Sequence, residues 1–362
     1  MFLKNCWYVA AWSHEIAPDT LFARIITQIP VLFYRDRDGM VVALEDRCCH
    51  RGAPLSRGRR EGDCVRCPYH GLKFDARGRC VEIPFQDEIP PTVRVRNFPL
   101  LERDNWIWIW LGDGDQADPA LVPGTPWLND PGWRYATGYL HYAVSYLLLA
   151  DNLLDFSHLP YVHPTTLGGT EEYAKVLPRV ERLPRGIRVA RWLLNQPPAP
   201  YVSKIKQWPG NVDRWNLYEF LLPGILIMDS GSAPAGTGAP AGTRVDACEF
   251  RGCQALTPET ENSTHYFFAQ PHNFGFDEPG LTAAIHQTIV DAFFEDQHLI
   301  SAQRDILALD PDFKMMPLKV DTALIQFRSL LARAIAAESD ATADGRNTTE
   351  RVETTHELAR RT

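Results

Sequence analysis

Two short segments contain the side chains with the clearest potential for chemistry. The segment CCH at residues 48–50 is followed, after sixteen residues, by CPYH at residues 67–70, which gives the pattern Cys-x-His…Cys-x-x-His. Two thiolates and two imidazoles therefore come from two separate loops. This donor set suits a 2Fe-2S cluster in which cysteines hold one iron and histidines hold the other. A tetrahedral Cys2His2 zinc site uses the same donors, so donor type alone does not separate the two.

The residues around these donors favour the iron-sulfur cluster over zinc. Gly52, Pro54, Pro68 and Gly71 lie in the segments CCHRGAPLSRG and CPYHGLKFD. Glycine and proline at such positions predict tight turns. Both donor pairs are thus expected in tight loops between β-hairpins.

A second group of donors lies in the segment DNLLDFSHLPYVHP at residues 151–164. Asp155 and His158 are separated by three positions, which predicts that they share one helical face. Pro160 is expected to end or kink this helix, so that His163 can turn back toward the same point. Two histidines and one carboxylate form the facial triad that leaves open positions on Fe(II) for dioxygen activation.

The carboxylate is predicted to come from a helix over residues 281–308. Asp296 lies in the middle of the apolar stripe of this segment, whereas Glu295 points about 100° away. The stripe consists of Ile285, Ile289, Ala292, Phe293, Leu299 and Ile300. A carboxylate there is costly unless it is paired or bound to metal, so Asp296 is the candidate third ligand. Taken alone, Asp296 is better explained as a capping or salt-bridged acid, and His158 and His163 could equally be ordinary histidines.

The elements that must position these donors divide the chain into three parts. Residues 1–115 show short β-rich runs broken by turns, which predict an all-β domain. Residues 116–336 mix β-like runs with helical periodicity at 147–159 and 281–308, which predicts an α+β domain. The Gly- and Ala-rich stretch at 230–243 is predicted to be a mobile loop. Residues 337–362 form a polar tail that is expected to be disordered, because it has almost no large apolar side chains.

Composition excludes several classes of protein. The 362 residues are 45% hydrophobic, and the net charge of -8 is interspersed along the chain, which does not indicate a nucleic-acid partner. Eight cysteines without a secretory leader favour thiol or metal chemistry over disulfides. No apolar stretch reaches the ~20 residues needed to span a bilayer. The expectation is a cytoplasmic protein that acts on a small molecule.

With both motifs in view, the chain resembles the Rieske iron-sulfur family. The resemblance implies four cluster ligands, namely Cys48, His50, Cys67 and His70. Cys49 and Cys64 do not occupy ligand positions. Respiratory Rieske proteins carry an additional cysteine in each loop where this chain has Ala53 and Tyr69, so the resemblance is to the oxygenase branch. Many oxygenases have Trp where this chain has Leu72, which is not a ligand position.

The motif Asp-x-x-His-x4-His resembles the catalytic half of Rieske non-haem iron oxygenases, and the resemblance covers about residues 3–330. It implies a helix-grip catalytic domain and a mononuclear iron held by His158, His163 and Asp296. It also implies a head-to-tail homotrimer in which Asp155 bridges the cluster of one subunit and the iron of its neighbour. Asn152 is a further contact near the iron in related enzymes.

The segments FLKNCWYVAAW and DNLLDFSHLPYVHPTTLG are most similar to the group of vanillate O-demethylase and toluenesulfonate methyl-monooxygenase oxygenases. This similarity implies hydroxylation of a methyl or methoxy carbon of a small aromatic acid, with O-demethylation and release of formaldehyde as the main expectation. Methyl hydroxylation of an aryl sulfonate is the alternative. Because no flavin or nicotinamide motif is present, electrons from NADH or NADPH are expected through a separate reductase. A Rieske-type electron carrier without oxygenase activity is the alternative of another class, although it predicts a much shorter chain.

Overall fold

The computed structural model describes residues 1–168 and 171–358, with the side chains of the last helix described up to Asp340. The N-terminal part is built from strands: β1 Trp7–Trp12, β2 Phe22–Ile26, β3 Ile29–Arg35, β4 Val41–Glu45, β5 Arg59–Glu61, β6 Cys64–Arg66, β7 Lys73–Phe74, β8 Cys80–Glu82, β9 Leu100–Arg103 and β10 Trp106–Trp110. Within the described residues these strands form three antiparallel sheets, with the orders β1-β10-β9, β2-β3-β4 and β5-β6-β7-β8. The predicted all-β N-terminal domain is confirmed.

The rest of the described chain combines one large sheet with helices. Its strands are β11 Thr137–Tyr142, β12 Arg179–Leu183, β13 Gly186–Gln196, β14 Val212–Leu221, β15 Ile225–Pro234, β16 Cys248–Thr260 and β17 Ser263–Ala269. Its helices are α1 Tyr146–Leu154, α2 Leu159–Val162, α3 Glu172–Lys175, α4 Pro200–Ile205, α5 Leu281–Leu309 and α6 Thr322–Leu358. The antiparallel sheet has the order β11-β17-β16-β15-β14-β13-β12. The α+β class is confirmed.

Helix α5 packs its apolar stripe against the large sheet. The ring centroid of Phe293 lies 4.9 Å from that of Tyr266 and 4.8 Å from that of Phe268, both on β17. The Phe293 carbonyl accepts a hydrogen bond of 2.6 Å from the hydroxyl of Tyr142 on β11. Leu299 differs from the expected stripe, because its side chain is 50% exposed. Aromatic packing therefore fixes the face of α5 that points toward the sheet.

The two parts of the chain share their core at strand β10. Its tryptophans pack with Phe267 and Ala269 of β17, while Ile107 and Ile109 pack into a second cluster with α1 and α5. This alternation follows from the period of two residues in a strand. Strand β10 is therefore buried on both faces, as its run of β-prone residues suggested.

Backbone hydrogen bonds also join the two parts. The turn between β2 and β3 donates from Thr27 N to Pro258 O at 2.7 Å and from Gln28 N to Glu259 O at 2.8 Å. The buried hydroxyl of Thr257 donates to the carbonyl of Val9 at 2.7 Å. The end of β16 is thus tied to the N-terminal sheets.

Helix α6 crosses the expected boundary at residue 336. Its Glu338 carboxylate accepts hydrogen bonds from the backbone N–H groups of Lys4 at 2.9 Å and Asn5 at 2.6 Å. The helix continues to Leu358 through the segment expected to be a disordered tail, and residues 359–362 lie outside the described residues. No helix in the described part of the chain is long and apolar enough to cross a membrane.

Part of the predicted loop at 230–243 belongs to a strand. Ser230 to Pro234 complete β15, where they pair with β14 on one side, and Ser230 to Ser232 pair with β16 on the other. Glycine is required at position 231 because the Trp215 ring lies so close that a Cβ there would be 2.4 Å from a ring atom. The composition indicated a loop, whereas the close packing explains the small residues.

Candidate metal centres

The first loop with predicted cluster ligands is closed by two backbone hydrogen bonds. The N–H of Cys48 donates to Ala53 O at 2.8 Å, and the N–H of Gly52 donates back to Cys48 O at 2.9 Å. Gly52 has a φ of 72°, in the left-handed region that glycine adopts at low cost. The loop therefore turns tightly around its cysteine.

The second loop repeats this arrangement. The N–H of Cys67 donates to Leu72 O at 2.8 Å, the N–H of Gly71 donates to Cys67 O at 3.2 Å, and Gly71 has a φ of 75°. Arg66 Nη1 donates to the Gly71 carbonyl at 2.7 Å, and its guanidinium is held by Glu61 and Glu82. Two loops of the same geometry thus present one cysteine and one histidine each.

The four predicted cluster ligands separate into an inner pair and an outer pair. Cys48 and Cys67 are buried, whereas His50 is exposed and His70 is half-buried. The two imidazole centroids are 4.5 Å apart. Burial raises the pKa of the Cys48 thiol to about 12, and the neighbouring Cys67 thiol adds to the rise. A metal ion would therefore have to displace the proton of Cys48 to bind it as a thiolate.

This pairwise arrangement differs from that of a zinc site. A zinc ion would bring all four donor atoms within about 4 Å of one another, because its bonds are ~2.0–2.3 Å long. Among the described residues, the only group of three or more such donors that lie within 4.8 Å of one another is His158, His163 and Asp296. A buried cysteine pair beside an outer histidine pair instead fits a 2Fe-2S cluster, in which cysteines hold one iron and histidines hold the other.

The helix that leads into the second set of donors ends earlier than the expected break at Pro160. Helix α1 ends at Leu154, and Asp155 has extended backbone angles, with φ -130° and ψ 99°. Its carboxylate accepts a hydrogen bond of 2.8 Å from Ser157 N and caps the short 3-10 turn Phe156–His158. The prediction that Asp155 and His158 share one helical face was wrong, because aspartate competes for free N–H groups and favours caps.

Pro160 also has a different role from the predicted one. It lies in the first turn of α2, where a missing N–H leaves no hydrogen bond unmade. Helix α2 ends at Val162, and the N–H of His163 donates to Leu159 O at 3.0 Å. The break at Asp155 and this short helix together turn His163 back toward His158, and their ring centroids are 5.3 Å apart.

Both histidines are oriented through their Nδ1 atoms. His158 Nδ1 lies 2.5 Å from the Asp155 carbonyl oxygen, and His163 Nδ1 lies 2.7 Å from Glu295 Oε2. The Nε2 atoms then face Asp296 Oδ1, at 3.6 Å from His158 and 3.2 Å from His163. His163 Nε2 is fully buried and makes no hydrogen bond of acceptable geometry. A buried nitrogen that is aimed at a carboxylate in this way fits a metal ligand.

Asp296 completes the group from α5. Its side chain is only 5% exposed although it lies within the apolar stripe. Asn152 Nδ2 donates to Asp296 Oδ1 at 2.9 Å, so the predicted contact residue lies at the same point as the three donors. The donor set of two imidazoles and one carboxylate fits a divalent iron with open positions.

The surroundings act on the two imidazoles in opposite directions. Burial lowers the pKa of His158 below its usual value. Burial acts in the same direction on His163, but the carboxylates of Asp296 and Glu295 outweigh it and raise the pKa of His163. Metal binding requires both rings to be neutral, so a bound cation would replace the proton that these carboxylates attract.

Sequence reasoning missed Glu295 and its partner Thr166. Glu295 was set aside because it points away from the apolar stripe, yet its carboxylate reaches His163 and also accepts a hydrogen bond of 2.7 Å from the Thr166 hydroxyl. Histidine ligands commonly donate their second N–H to a carboxylate. An acid next to a candidate ligand was therefore the signal that could have identified Glu295.

A cavity of about 180 Å³ opens beside the three donors. Most of its wall is apolar, with Phe156, Leu159, Met228, Phe250, Ile285, Ile289 and Phe293 among the lining side chains. The cavity lies between the large sheet and helices α1, α4 and α5. Concave apolar sites with a few polar groups are typical binding sites for small molecules.

Comparison with known proteins shows the class. Residues 6–99 match the Rieske [2Fe-2S] domain, and residues 142–337 match the vanillate O-demethylase oxygenase C-terminal domain. The chain therefore belongs to the family of Rieske oxygenase components with this type of catalytic domain, and it is an oxidoreductase that carries a 2Fe-2S cluster. The match to an oxygenase domain does not support the alternative of a simple electron carrier.

Individual relatives extend over nearly the whole chain. The toluene-4-sulfonate monooxygenase system iron-sulfur subunit of Comamonas testosteroni is 49% identical over 95% of this chain and 100% of its own length. The vanillate O-demethylase oxygenase subunit of a Pseudomonas strain is 35% identical over 94% of this chain and 97% of its own. A crystal structure of dicamba monooxygenase bound to 3,6-dichlorosalicylic acid superposes with a TM-score of 0.86 at 33% identity, and covers 93% of this chain and 99% of its own.

Proposed function

We propose that this chain is the oxygenase component of a multicomponent Rieske monooxygenase that hydroxylates a methyl or methoxy carbon of a small aromatic acid. The observation that carries the proposal is that His158, His163 and Asp296 converge at the wall of an apolar cavity, in a chain that also contains a Rieske domain. A similar solved structure is dicamba monooxygenase with non-heme iron and dicamba. Mononuclear iron held by these three residues is thus the second cofactor.

The iron supplies the activation of dioxygen, while the residues around it bind, orient and exclude water. Asp155 O and Glu295 hold the two imidazoles by their Nδ1 atoms, which leaves both Nε2 atoms for the metal. Asn152 orients the Asp296 carboxylate. The apolar wall excludes water from the reacting carbon.

Electrons reach the iron from the cluster in this proposal. His50 is exposed, so the histidine edge of the Rieske domain is accessible to another protein surface. Asp155 lies next to His158, with its side chain 20% exposed. A head-to-tail homotrimer would place the histidine edge of one subunit against Asp155 of the next. A separate reductase delivers electrons from NADH or NADPH, because the related proteins are named as subunits or components of larger systems.

Two reactions of the same chemistry remain as candidates. O-demethylation of a vanillate-like aryl methyl ether is supported by the match to the vanillate O-demethylase domain and by the dicamba O-demethylase relative, which is 36% identical. Methyl hydroxylation of an aryl sulfonate is favoured by the relative with 49% identity. In both reactions the oxidised carbon is a methyl carbon attached to, or linked through oxygen to, an aromatic ring.

Product analysis tests the proposal. The purified protein is supplied with a compatible reductase, NADH and a panel of methoxybenzoates, methylbenzenesulfonates and unsubstituted aromatics. Formaldehyde together with a phenol would identify O-demethylation, whereas a benzylic alcohol would identify methyl hydroxylation. A cis-dihydrodiol as the main product would contradict both candidates.

A further inference from the structure

Two cationic side chains, Lys204 and Arg214, line the cavity beside the proposed iron site. Among the described residues that line it, Asp296 is the only carboxylate. Asp296 is committed to the iron, whose two positive charges exceed its single negative one. The cavity as a whole therefore has an excess of positive charge, which an anionic ligand would neutralise.

Arg214 is a buried cation that has no anionic partner among the described residues. Its side chain lies on β14 and the residue is only 6% exposed. Nη1 donates to Gly168 O at 2.7 Å and Nη2 donates to Leu167 O at 3.1 Å, and Arg214 makes no ion pair with a carboxylate of the described residues. A buried charge is costly unless an opposite charge offsets it. Neutral carbonyl groups satisfy two of its five N–H donors and none of its charge.

The guanidinium of Arg214 is also held in position. Its central carbon lies 4.9 Å from the ring centroid of Tyr173. The hydroxyl of Tyr173 in turn donates to Asn216 Oδ1 at 2.9 Å, and Asn216 is another residue that lines the cavity. Stacking and two backbone hydrogen bonds therefore orient the planar guanidinium before a ligand enters, which reduces the entropy lost on binding.

Lys204 is the second cation. It lies on α4, its side chain is exposed, and within the described residues it makes no ion pair. Lys206 lies two positions further on. Unlike Lys204, it pairs its ammonium with Asp246 and does not line the cavity. The two lysines provide a matched comparison within one short segment.

We propose that Arg214 and Lys204 form the anion-recognition end of the cavity, and that the anion is the sulfonate or carboxylate group of an aromatic substrate. The inference rests on the proposed function and deepens it, because it assigns the substrate's charged group to two named residues. Arg214 supplies the oriented donors and Lys204 supplies charge at the exposed rim. The apolar wall is left for the aromatic ring and its methyl or methoxy substituent.

The test is calorimetric titration of the full-length holoprotein under anaerobic conditions with three ligands that share the 4-methylphenyl ring. These are 4-methylbenzenesulfonate, 4-methylbenzoate and the neutral 4-methylbenzenesulfonamide. Wild type is expected to bind at least one of the anions at least about tenfold more tightly than the amide, as charge-assisted hydrogen bonds are about twice as strong as neutral ones. The anion that binds more tightly shows whether the site recognises a sulfonate or a carboxylate group.

Variants locate this preference. Lys204→Met is expected to reduce the ratio of anion to amide affinity several-fold, and Lys206→Met is expected to leave it unchanged. Arg214→Gln should remove most of the preference, and Arg214→Lys should reduce it because an ammonium cannot reproduce the guanidinium fork. If circular dichroism shows that Arg214→Gln is unfolded, Lys204→Met and Arg214→Lys decide.

Equal affinity of wild type for the anions and the amide would overturn the inference. An anion preference that both Lys204→Met and Arg214→Lys leave unchanged would also overturn it. Product analysis separates this failure from failure of the proposed function. Selective anion binding without any oxidised product would contradict the proposed monooxygenase activity and support the anion site. Equal oxidation of anionic and neutral substrates would support the monooxygenase activity and contradict the anion site.

Discussion

Glu295 Oε2 lies 2.7 Å from His163 Nδ1, across 132 positions of the chain. The same oxygen accepts the hydrogen bond of Thr166, so the carboxylate is fixed before it orients the imidazole. A carboxylate behind a histidine ligand makes the ligand more basic and fixes its ring. Glu295 therefore supports the proposed iron site without touching the metal.

Replacement of Glu295 should weaken iron binding. Glu295→Gln keeps an acceptor for the His163 N–H but removes the charge, and a loss of about 10–100-fold in iron affinity is expected. The measurement is iron content after dialysis against a graded chelator. Asp291→Asn, at an exposed acid on the same helix, is the matched control. Unchanged iron affinity in Glu295→Gln would contradict this role.

Asp155→Asn should retain both metal centres and lose nearly all turnover. An asparagine Oδ1 can still accept from Ser157 N, so the turn before His158 is preserved while the negative charge of the proposed bridge is removed. Asp296→Ala, by contrast, should lose the mononuclear iron. Metal analysis and oxygen uptake with the physiological electron donor distinguish the two. Normal turnover of Asp155→Asn would rule out the route through this residue.

One pair of variants distinguishes the proposed cluster ligand Cys48 from the adjacent Cys49. The purified protein should be red-brown, with an EPR signal in the reduced state that is typical of mixed cysteine and histidine ligation. Cys49→Ser should keep this signal because Cys49 is not a proposed ligand, whereas the same change at the buried Cys48 should abolish it. Loss of the cluster from Cys49→Ser would show that the ligand assignment is displaced by one residue.

Co-expression tests the head-to-tail trimer. Cys67→Ser removes the cluster and His163→Ala removes the iron, so each variant alone should be inactive. If electrons pass between subunits, trimers that contain both variants should recover about a third of wild-type activity, because one of their three subunit boundaries then joins an intact iron to an intact cluster of the neighbour. Differently tagged subunits allow mixed trimers to be purified. A complete absence of recovery in such trimers would indicate transfer within one subunit.

Acid should destabilise the protein through His265. Burial, reinforced by Arg24, lowers the pKa of His265 to about 4, and its ring lies between the hydroxyl of Tyr139 and the carbonyl of Ile25. The contribution of the neutral ring to stability is therefore fully present above pH ~6.5, the pKa of histidine in the unfolded chain. It is lost as the pH falls toward the pKa of about 4 in the folded protein. The full shift corresponds to about 3 kcal/mol of unfolding free energy. The free energy of unfolding is measured with urea at pH 7 and pH 4.5. Between these two pH values His265→Gln should lose less of it than wild type, and His14→Gln, at an exposed histidine, is the control.

The parts of the site that could be predicted from sequence are those with a local signal. Cys67 and His70 lie in one loop, His158 and His163 lie five residues apart, and Asp296 is conspicuous as an acid in an apolar stripe. Each of these inferences needs only the spacing of neighbouring residues.

Features that depend on distant contacts could not be derived in this way. The capping hydrogen bond of Asp155 breaks the expected helix, and this competition between side chain and backbone has no periodic signature. Arg214 reaches the carbonyls of Leu167 and Gly168 from a strand some 46 residues further along the chain. The continuation of α6 past residue 336 is accompanied by contacts of Glu338 with the first residues of the chain, which local composition does not reveal.

The joint between the end of β16 and the turn after β2 limits how the enzyme can move. Thr27 and Gln28 extend the backbone hydrogen bonding of the large sheet into the Rieske domain. A joint of this kind resists a swinging motion of one domain against the other. The distance between the cluster and the iron of one chain is then fixed when the chain folds.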